Sequence, residues 1–147
     1  MSEQLEISSL QNAFNSLSAT LKELADTAWF HQQKPIIQDT LIAGAIQKFE
    51  FVYELSLKMM KRQLKLMAIA EDLVESDNFR DILRDAAKFG LIQDIDAWVS
   101  YRQMRNITSH TYDQDKAMAI YNRISDFLVS SGYLLAQLDK WNSSNAD

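Results

Sequence analysis

Near its C-terminal end the chain repeats apolar residues at alternating steps of three and four, and this repeat constrains the fold more than any other feature. Ala117, Ile120, Ile124, Phe127, Leu134, Leu138 and Trp141, with Ser131 in the same register, hold one face for about seven helical turns. A strand would scatter these positions over both of its faces, whereas an α-helix gathers them into a stripe. The same spacing recurs in Leu10, Phe14, Leu17, Leu21, Leu24 and Ala28, and again in Ile46, Phe49, Tyr53, Leu57, Met60 and Leu64. Three Gly and one Pro in 147 residues supply little of the turn chemistry that a many-stranded fold needs. The chain therefore reads as all-α.

Boundary signals divide it. A first helix starts after Ser8 or Ser9 and stops near Gln33, because Lys34 precedes Pro35 and a residue before proline is pushed out of the α region. Asp39 is the predicted N-cap of a long second helix, from about Thr40 to beyond Leu66. Its other face carries Lys48, Lys58, Lys61, Arg62 and Lys65, read as a solvated face rather than a nucleic-acid track. Ser76 or Asp77 caps a short helix over Phe79 to Phe89, and Gly90 ends it in the left-handed conformation. Asp94 caps a fourth helix bearing Ile95, Trp98, Val99 and Arg102. Asp113 or Asp115 caps the last, which runs to Trp141, and the polar tail from Asn142 onward frays. Four long helices and a short one, with brief connections, predict an antiparallel up-and-down four-helix bundle forming one domain over residues 1–147, frayed from about 143 to 147.

Composition narrows the chemistry. Without Cys there is no thiolate nucleophile and no Cys-type zinc site, and two His, at 31 and 110, make a His-rich metal site improbable. The N-terminus has no secretory character, and no apolar run approaches the roughly 20 residues that span a bilayer, so a cytoplasmic protein without a membrane partner is expected. A net charge of −5 argues against broad nucleic-acid binding but leaves room for a local basic cleft, and three of the six arginines lie between positions 84 and 105.

The stretch Arg105-Asn106-Ile107-Thr108-Ser109-His110-Thr111-Tyr112 places a cation, an imidazole and a phenol close together. The guanidinium fork suits a phosphate and imidazole moves protons near neutral pH, so the pair can bind or cut a phosphodiester without a metal. On an unbroken helix Arg105 and His110 stand about 140° and about 7.5 Å apart and share no face, while Asn106 and His110 do. The motif makes chemical sense if the helix ends near Thr108-Ser109, poor helix formers, or if a second protomer completes the site. Arg102 and Asn106 are candidate supporting residues: Arg102 widens the basic patch or pairs with Glu50 or Glu54, and Asn106 orients the imidazole or a phosphate oxygen, or only bonds at the helix end. Glu50 and Glu54 either hold one of the arginines or stand solvated. A purely structural use is also open, with Arg105 a surface cation, His110 a helix-end residue and Tyr112 a packing aromatic. His31 reads as a helix C-terminal residue, and Trp98, Tyr101, Phe127 and Trp141 as core or dimer interface.

The Arg105-x4-His110-x-Tyr112 pattern near the end of the penultimate long helix resembles the signature of the HEPN superfamily, and within it the HepT toxin group, also named nucleotidyltransferase substrate-binding proteins. Two further segments carry the likeness: Gln47-Lys48-Phe49-Glu50-Phe51-Val52-Tyr53-Glu54-Leu55, and Phe89-Gly90-Leu91-Ile92 before the fourth helix. The resemblance spans about residues 10 to 142. It implies a homodimeric helical bundle acting as a metal-independent endoribonuclease without a cofactor, with Arg105 and His110 in a cleft at the dimer interface. It further implies an MNT-type nucleotidyltransferase partner, an antitoxin that attaches AMP to Tyr112. His110 would then act as general base or acid on a ribose 2′-hydroxyl, which only RNA carries, while Arg105 stabilises the phosphoryl charge. A noncatalytic subunit presenting substrate to a nucleotidyltransferase, and a helical dimer with no site, are the competing functions.

Overall fold

A computed structural model describes residues 6–67 and 78–143. Among these are seven α-helices: α1 (Ser8–Leu24), α2 (Thr27–Gln32), α3 (Pro35–Leu66), α4 (Phe79–Lys88), α5 (Ile95–Asn106), α6 (Gln114–Tyr121) and α7 (Ile124–Ser143). A 3-10 turn, Thr108–His110, joins α5 to α6, and no strand occurs among the described residues. The molecule is the expected helical bundle. α3 is its axis, with α1, α4, α5, α6 and α7 all packed against it.

Two predicted helices are each broken in two. The first ends at Leu24, and Asp26 starts α2 by accepting a hydrogen bond from the Trp29 amide at 3.0 Å. Ala28, expected in the apolar stripe, is exposed as a result. The last breaks at Asn122-Arg123, where the Arg123 amide bonds back three residues to the Ile120 carbonyl, a local tightening. The break leaves the stripe in register: Ala117, Ile120, Ile124, Phe127, Ser131, Leu134 and Leu138 are all buried, and only Trp141 reaches solvent.

Other boundaries also move. α3 begins at Pro35, not after Asp39: proline's fixed φ and missing N–H suit the first helical position, so Lys34 is the N-cap. Asp39 lies inside the helix, exposed, and accepts from Gln114 instead. The cap of α4 is Asn78, which accepts from the Arg80 and Asp81 amides; Ser76 and Asp77 fall outside the described residues. Gly90 closes α4 as predicted, with φ 77°, while the Leu91 amide reaches the Ala86 carbonyl at 2.8 Å and the Gly90 amide that of Ala87 at 3.1 Å. That paired bonding satisfies carbonyls a helix end leaves open. Asp94 and Asp113 cap α5 and α6 as expected. Asn142 and Ser143, placed in the frayed tail from sequence, belong to α7, and Asn142 donates to Gln63 at 3.0 Å.

α3 buries more than one stripe, because neighbours surround it. Ile42, Ala45, Val52, Ser56, Met59 and Gln63 are buried beside Ile46, Phe49, Tyr53, Met60 and Leu64, while Leu57 is only half-buried. Of the basic face, Lys58, Arg62 and Lys65 are exposed, and Lys48 donates to Thr20 at 2.7 Å. At the centre Phe49 and Phe127 meet edge to face at 4.8 Å, with Tyr101 5.1 Å and Trp98 5.8 Å from Phe127. Edge-to-face pairs add to what burial of such large rings contributes. Trp98, Tyr101 and Phe127 are thus core. They also lock α5, the helix that carries the Arg105 motif, onto α3 and α7.

Candidate functional site

α5 is held on three sides before it delivers the motif. Trp98 anchors it in the core, the Tyr101 hydroxyl bonds the Ser130 hydroxyl of α7 at 2.7 Å, and Arg123 donates to Ser100. The helix then ends at Asn106, two residues before the predicted position. The Ile107 amide bonds only three residues back, to Met104, and the next links are His110 to Ile107 and Asp113 to His110. Residues 107–113 therefore descend in a tight series of three-residue steps into the capped start of α6. Thr108 stabilises the ending by donating its hydroxyl to the Arg105 carbonyl at 2.8 Å, a group the terminated helix would leave unpaired.

Arg105 lies across α3. Its Nε and Nη2 both donate to Glu54 Oε1, at 3.0 and 2.6 Å, Nη1 donates to the Thr108 hydroxyl at 3.1 Å, and Glu50 stands 3.7 Å from Nη1. The bond to Glu54 is the main reason the guanidinium's pKa is raised above its ordinary value; burial opposes that rise and the nearby charge of Glu50 supports it. Glu50 and Glu54 are thus the carboxylates that fix Arg105, which settles the alternatives left open from sequence. Arg102 takes neither of them. It is exposed and its guanidinium stacks 4.4 Å from the ring centre of Phe79 on α4, a cation–π contact. Beneath the two arginines lies Tyr53, whose phenol burial pushes up to about 12 while Arg102 and Arg105 pull it back.

His110 forms a separate pair. Its Nδ1 lies 3.3 Å from the Tyr112 hydroxyl and the rings meet edge to face at 5.9 Å. Tyr112 is 82% exposed, so it is not a core tyrosine. Asn106, on the last turn of α5, is exposed. The helix end thus brings together Arg105 with Glu54 and Thr108 on one side, and His110 with Tyr112 on the other. No hydrogen bond or ring contact joins Arg105 to His110 among the described residues. His31 ends α2 as expected, with Nδ1 donating to the Thr27 carbonyl at 2.7 Å.

A cleft of about 690 Å³ opens beside the turn. Phe30 and His31 of α2, Asp39, Ile42 and Ile46 of α3, and Gln114 and Met118 of α6 contribute to its walls, together with Thr111 and Tyr112. Nothing in the sequence reading located it, because it depends on the unforeseen separation of α2 from α1 and on the early start of α3 at Pro35. Asp26, three residues before an amide it could cap, was the available signal. Among the described residues no three His, Cys, Asp or Glu side chains stand close enough to hold a metal ion, and no helix is long and apolar enough to cross a membrane.

Residues 5–140 match the family described as nucleotidyltransferase substrate binding protein like. A Haemophilus influenzae protein named probable ribonuclease HepT is 59% identical over 142 residues, covering 97% of each chain. A solved Haemophilus influenzae structure, described as the fold of a substrate-binding domain of a nucleotidyltransferase, is 61% identical with a TM-score of 0.88. That superposition covers 90% of this chain and 98% of the other.

Proposed function

Because this chain belongs to the nucleotidyltransferase substrate-binding protein family, we propose that it is a metal-independent endoribonuclease of the HEPN type, the cytoplasmic toxin of a toxin–antitoxin pair. The observation that carries this reading is the helix end itself, which presents a fixed guanidinium and a half-buried imidazole paired to an exposed phenol. The name of the Haemophilus influenzae relative supports the ribonuclease assignment.

In the proposed reaction His110 takes the proton of a ribose 2′-hydroxyl, whose oxygen attacks the adjacent phosphorus. The bond to the 5′-oxygen breaks, leaving a 2′,3′-cyclic phosphate, and the departing oxygen takes up a proton. Arg105 stabilises the charge gathering on the phosphoryl oxygens, and Glu54 and Thr108 hold its fork still for that purpose. Asn106 orients the imidazole or a phosphate oxygen, and a homodimer brings the two halves of the site into one cleft. The family description supports a nucleotidyltransferase partner, here an MNT-type antitoxin that transfers AMP from ATP to the Tyr112 oxygen with release of pyrophosphate. With that oxygen 3.3 Å from His110 Nδ1, a phosphodiester on it would stand against the imidazole and repel RNA phosphates.

The test is cleavage of RNA by the purified protein alone. Activity should survive EDTA and vanish in His110→Ala; loss in EDTA, or persistence in His110→Ala, would overturn the catalytic assignment. Mass spectrometry after incubation with ATP and the partner should find AMP on Tyr112, and Tyr112→Phe should escape neutralisation while still cleaving RNA. One observation favours the second reading, a noncatalytic subunit: Arg105 commits Nε, Nη1 and Nη2 to Glu54 and Thr108. On that reading the purified protein binds its partner and cuts nothing.

A further inference from the structure

The cleft beside Tyr112 has no role in the chemistry above, yet it adjoins it. Tyr112 lines the cleft and touches His110, so a group seated there lies one side chain from the imidazole. Phe30, Ile42, Ile46 and Met118 give it apolar walls. Its polar side is formed by Gln38, Asp39, Gln114 and His31, and no Lys or Arg lines it. A phosphate would find a carboxylate and no fixed cation.

The hydrogen bonds already made there bias what remains. Gln38 Nε2 donates to the Gln33 carbonyl at 2.8 Å, and Gln114 Nε2 donates to Asp39 Oδ1 at 3.3 Å. His31 Nδ1 is spent on the Thr27 carbonyl, which leaves Nε2 of the neutral ring as an acceptor. What is left over includes the acceptors of two carboxamide oxygens, the Asp39 carboxylate and an imidazole nitrogen. Against these stand one N–H on each carboxamide and the hydroxyls of Thr111 and Tyr112, which can turn either way. An apolar slot with an acceptor edge and no cation suits a flat heterocycle rich in N–H donors. The volume, about 690 Å³, is ample for one, since small-molecule sites span roughly 300–1,000 Å³.

We infer that this cleft is a nucleobase subsite that receives the base next to the scissile phosphate and prefers guanine. Guanine presents a ring N–H and an amino group side by side, two parallel donors for the Asp39 carboxylate. Adenine and cytosine present one amino group, and uracil a single N–H between two carbonyls that the acceptor edge repels. Single-stranded RNA is read by such splayed bases. The placement along RNA rests on the ribonuclease reading; recognition of the base does not.

The test titrates the isotopically labelled full chain with 5′-GMP and 5′-UMP, following backbone amides by NMR. GMP should move signals within residues 38–46 and 111–118 and saturate at about tenfold lower concentration than UMP, the discrimination of one good bidentate contact. Asp39 is exposed, so Asp39→Asn should stay folded and bring the two nucleotides to similar affinity. Ala43→Leu, which narrows the cleft, should weaken both together. Equal affinities, no binding, shifts elsewhere, or cleft signals that respond only to protein concentration would each overturn the inference, the last marking a self-association surface. Mapping cuts in mixed-sequence RNA separates the two proposals. Selective GMP binding without cleavage sinks the catalytic reading and leaves the subsite standing. Cleavage without guanine beside the cut, and without GMP selectivity, does the reverse.

Discussion

Replacing Arg105 by Ala should separate catalysis from stability. The guanidinium and its partners are well solvated, with side-chain exposures of 34% for Arg105, 54% for Glu54 and 29% for Glu50. Exposed ion pairs contribute roughly 0.2–1 kcal/mol, and the two-donor contact with Glu54 belongs at the upper end while Glu50, at 3.7 Å, adds less. Removing the cation also leaves two carboxylates one turn apart on α3, a repulsion of a few tenths of a kcal/mol. Thr108 keeps its own bond to the carbonyl of residue 105, so the helix ending survives. The total, about 1–2 kcal/mol, lowers Tm by roughly 3–7 °C in a chain of this size. Cleavage should fall far more, by about 100- to 1,000-fold, the usual consequence of deleting a group that stabilises transition-state charge. Urea unfolding followed by circular dichroism gives the first quantity and single-turnover cleavage of a fluorogenic RNA the second. Arg105→Lys should restore part of the stability but little of the rate, because an ammonium lacks the planar fork. A stability loss above about 4 kcal/mol, or a rate loss no larger than the fraction unfolded, would refute the reasoning and make Arg105 a structural cation.

Three further outcomes follow from the core and the turns. Tyr53 is protonated in the folded chain up to about pH 12, whereas an unfolded tyrosine ionises near its ordinary 10.0. Stability should therefore fall between these values, by on the order of 2 kcal/mol, and alkaline unfolding of Tyr53→Phe should show a shallower slope, the remainder coming from Tyr101 and Tyr121, also raised by burial. Ser56 is fully buried on α3 and its hydroxyl has no hydrogen-bond partner among the described residues, so Ser56→Ala should be neutral or stabilise by up to about 1 kcal/mol in urea titrations. Gly90→Ala should cost about 1–2 kcal/mol from its positive φ alone, since a methyl group there meets nothing within 4 Å; a larger loss of Tm than that would point to packing.

The elements that sequence reading located best are those whose signal is local or periodic. Asp94, Asp113 and Gly90 act within a few residues of themselves and sit where predicted. The stripe of the last helix held its register even across the break at Asn122, because burial against α1 and α3 fixes a face whether or not the backbone is continuous. What failed was choosing between signals. Pro35 signals the end of one helix as readily as the start of the next, which is its role here, and Asp39 competes for the cap because a capping residue before an apolar run is a strong pattern. The continuous stripe from Leu10 to Ala28 suggests a single helix, and it masks the cap that Asp26 supplies. The width of the α3 core was likewise invisible: one stripe describes a helix with one neighbour, and α3 has several.

The site shows the same division between local and long-range information. That Arg105 and His110 cannot cooperate on a straight helix follows from helical geometry alone, and the chain does leave the α conformation between the two, after Asn106 and two residues earlier than expected. The partner of Arg105 lies 51 residues away on α3, a relation no local pattern encodes, although Glu50 and Glu54 at i and i+4 already shared a face. Arg102, one turn earlier with the same charge, lies over the Phe79 ring of α4 instead, and the glutamates pair with Arg105. Tyr112 then joins what the sequence kept apart. Its hydroxyl meets His110 and it lines the cleft, so one modification of that oxygen would reach the imidazole and the proposed base subsite at once. A control point of that kind needs exposure to a second protein as well as contact with the chemistry, and Tyr112 combines the two.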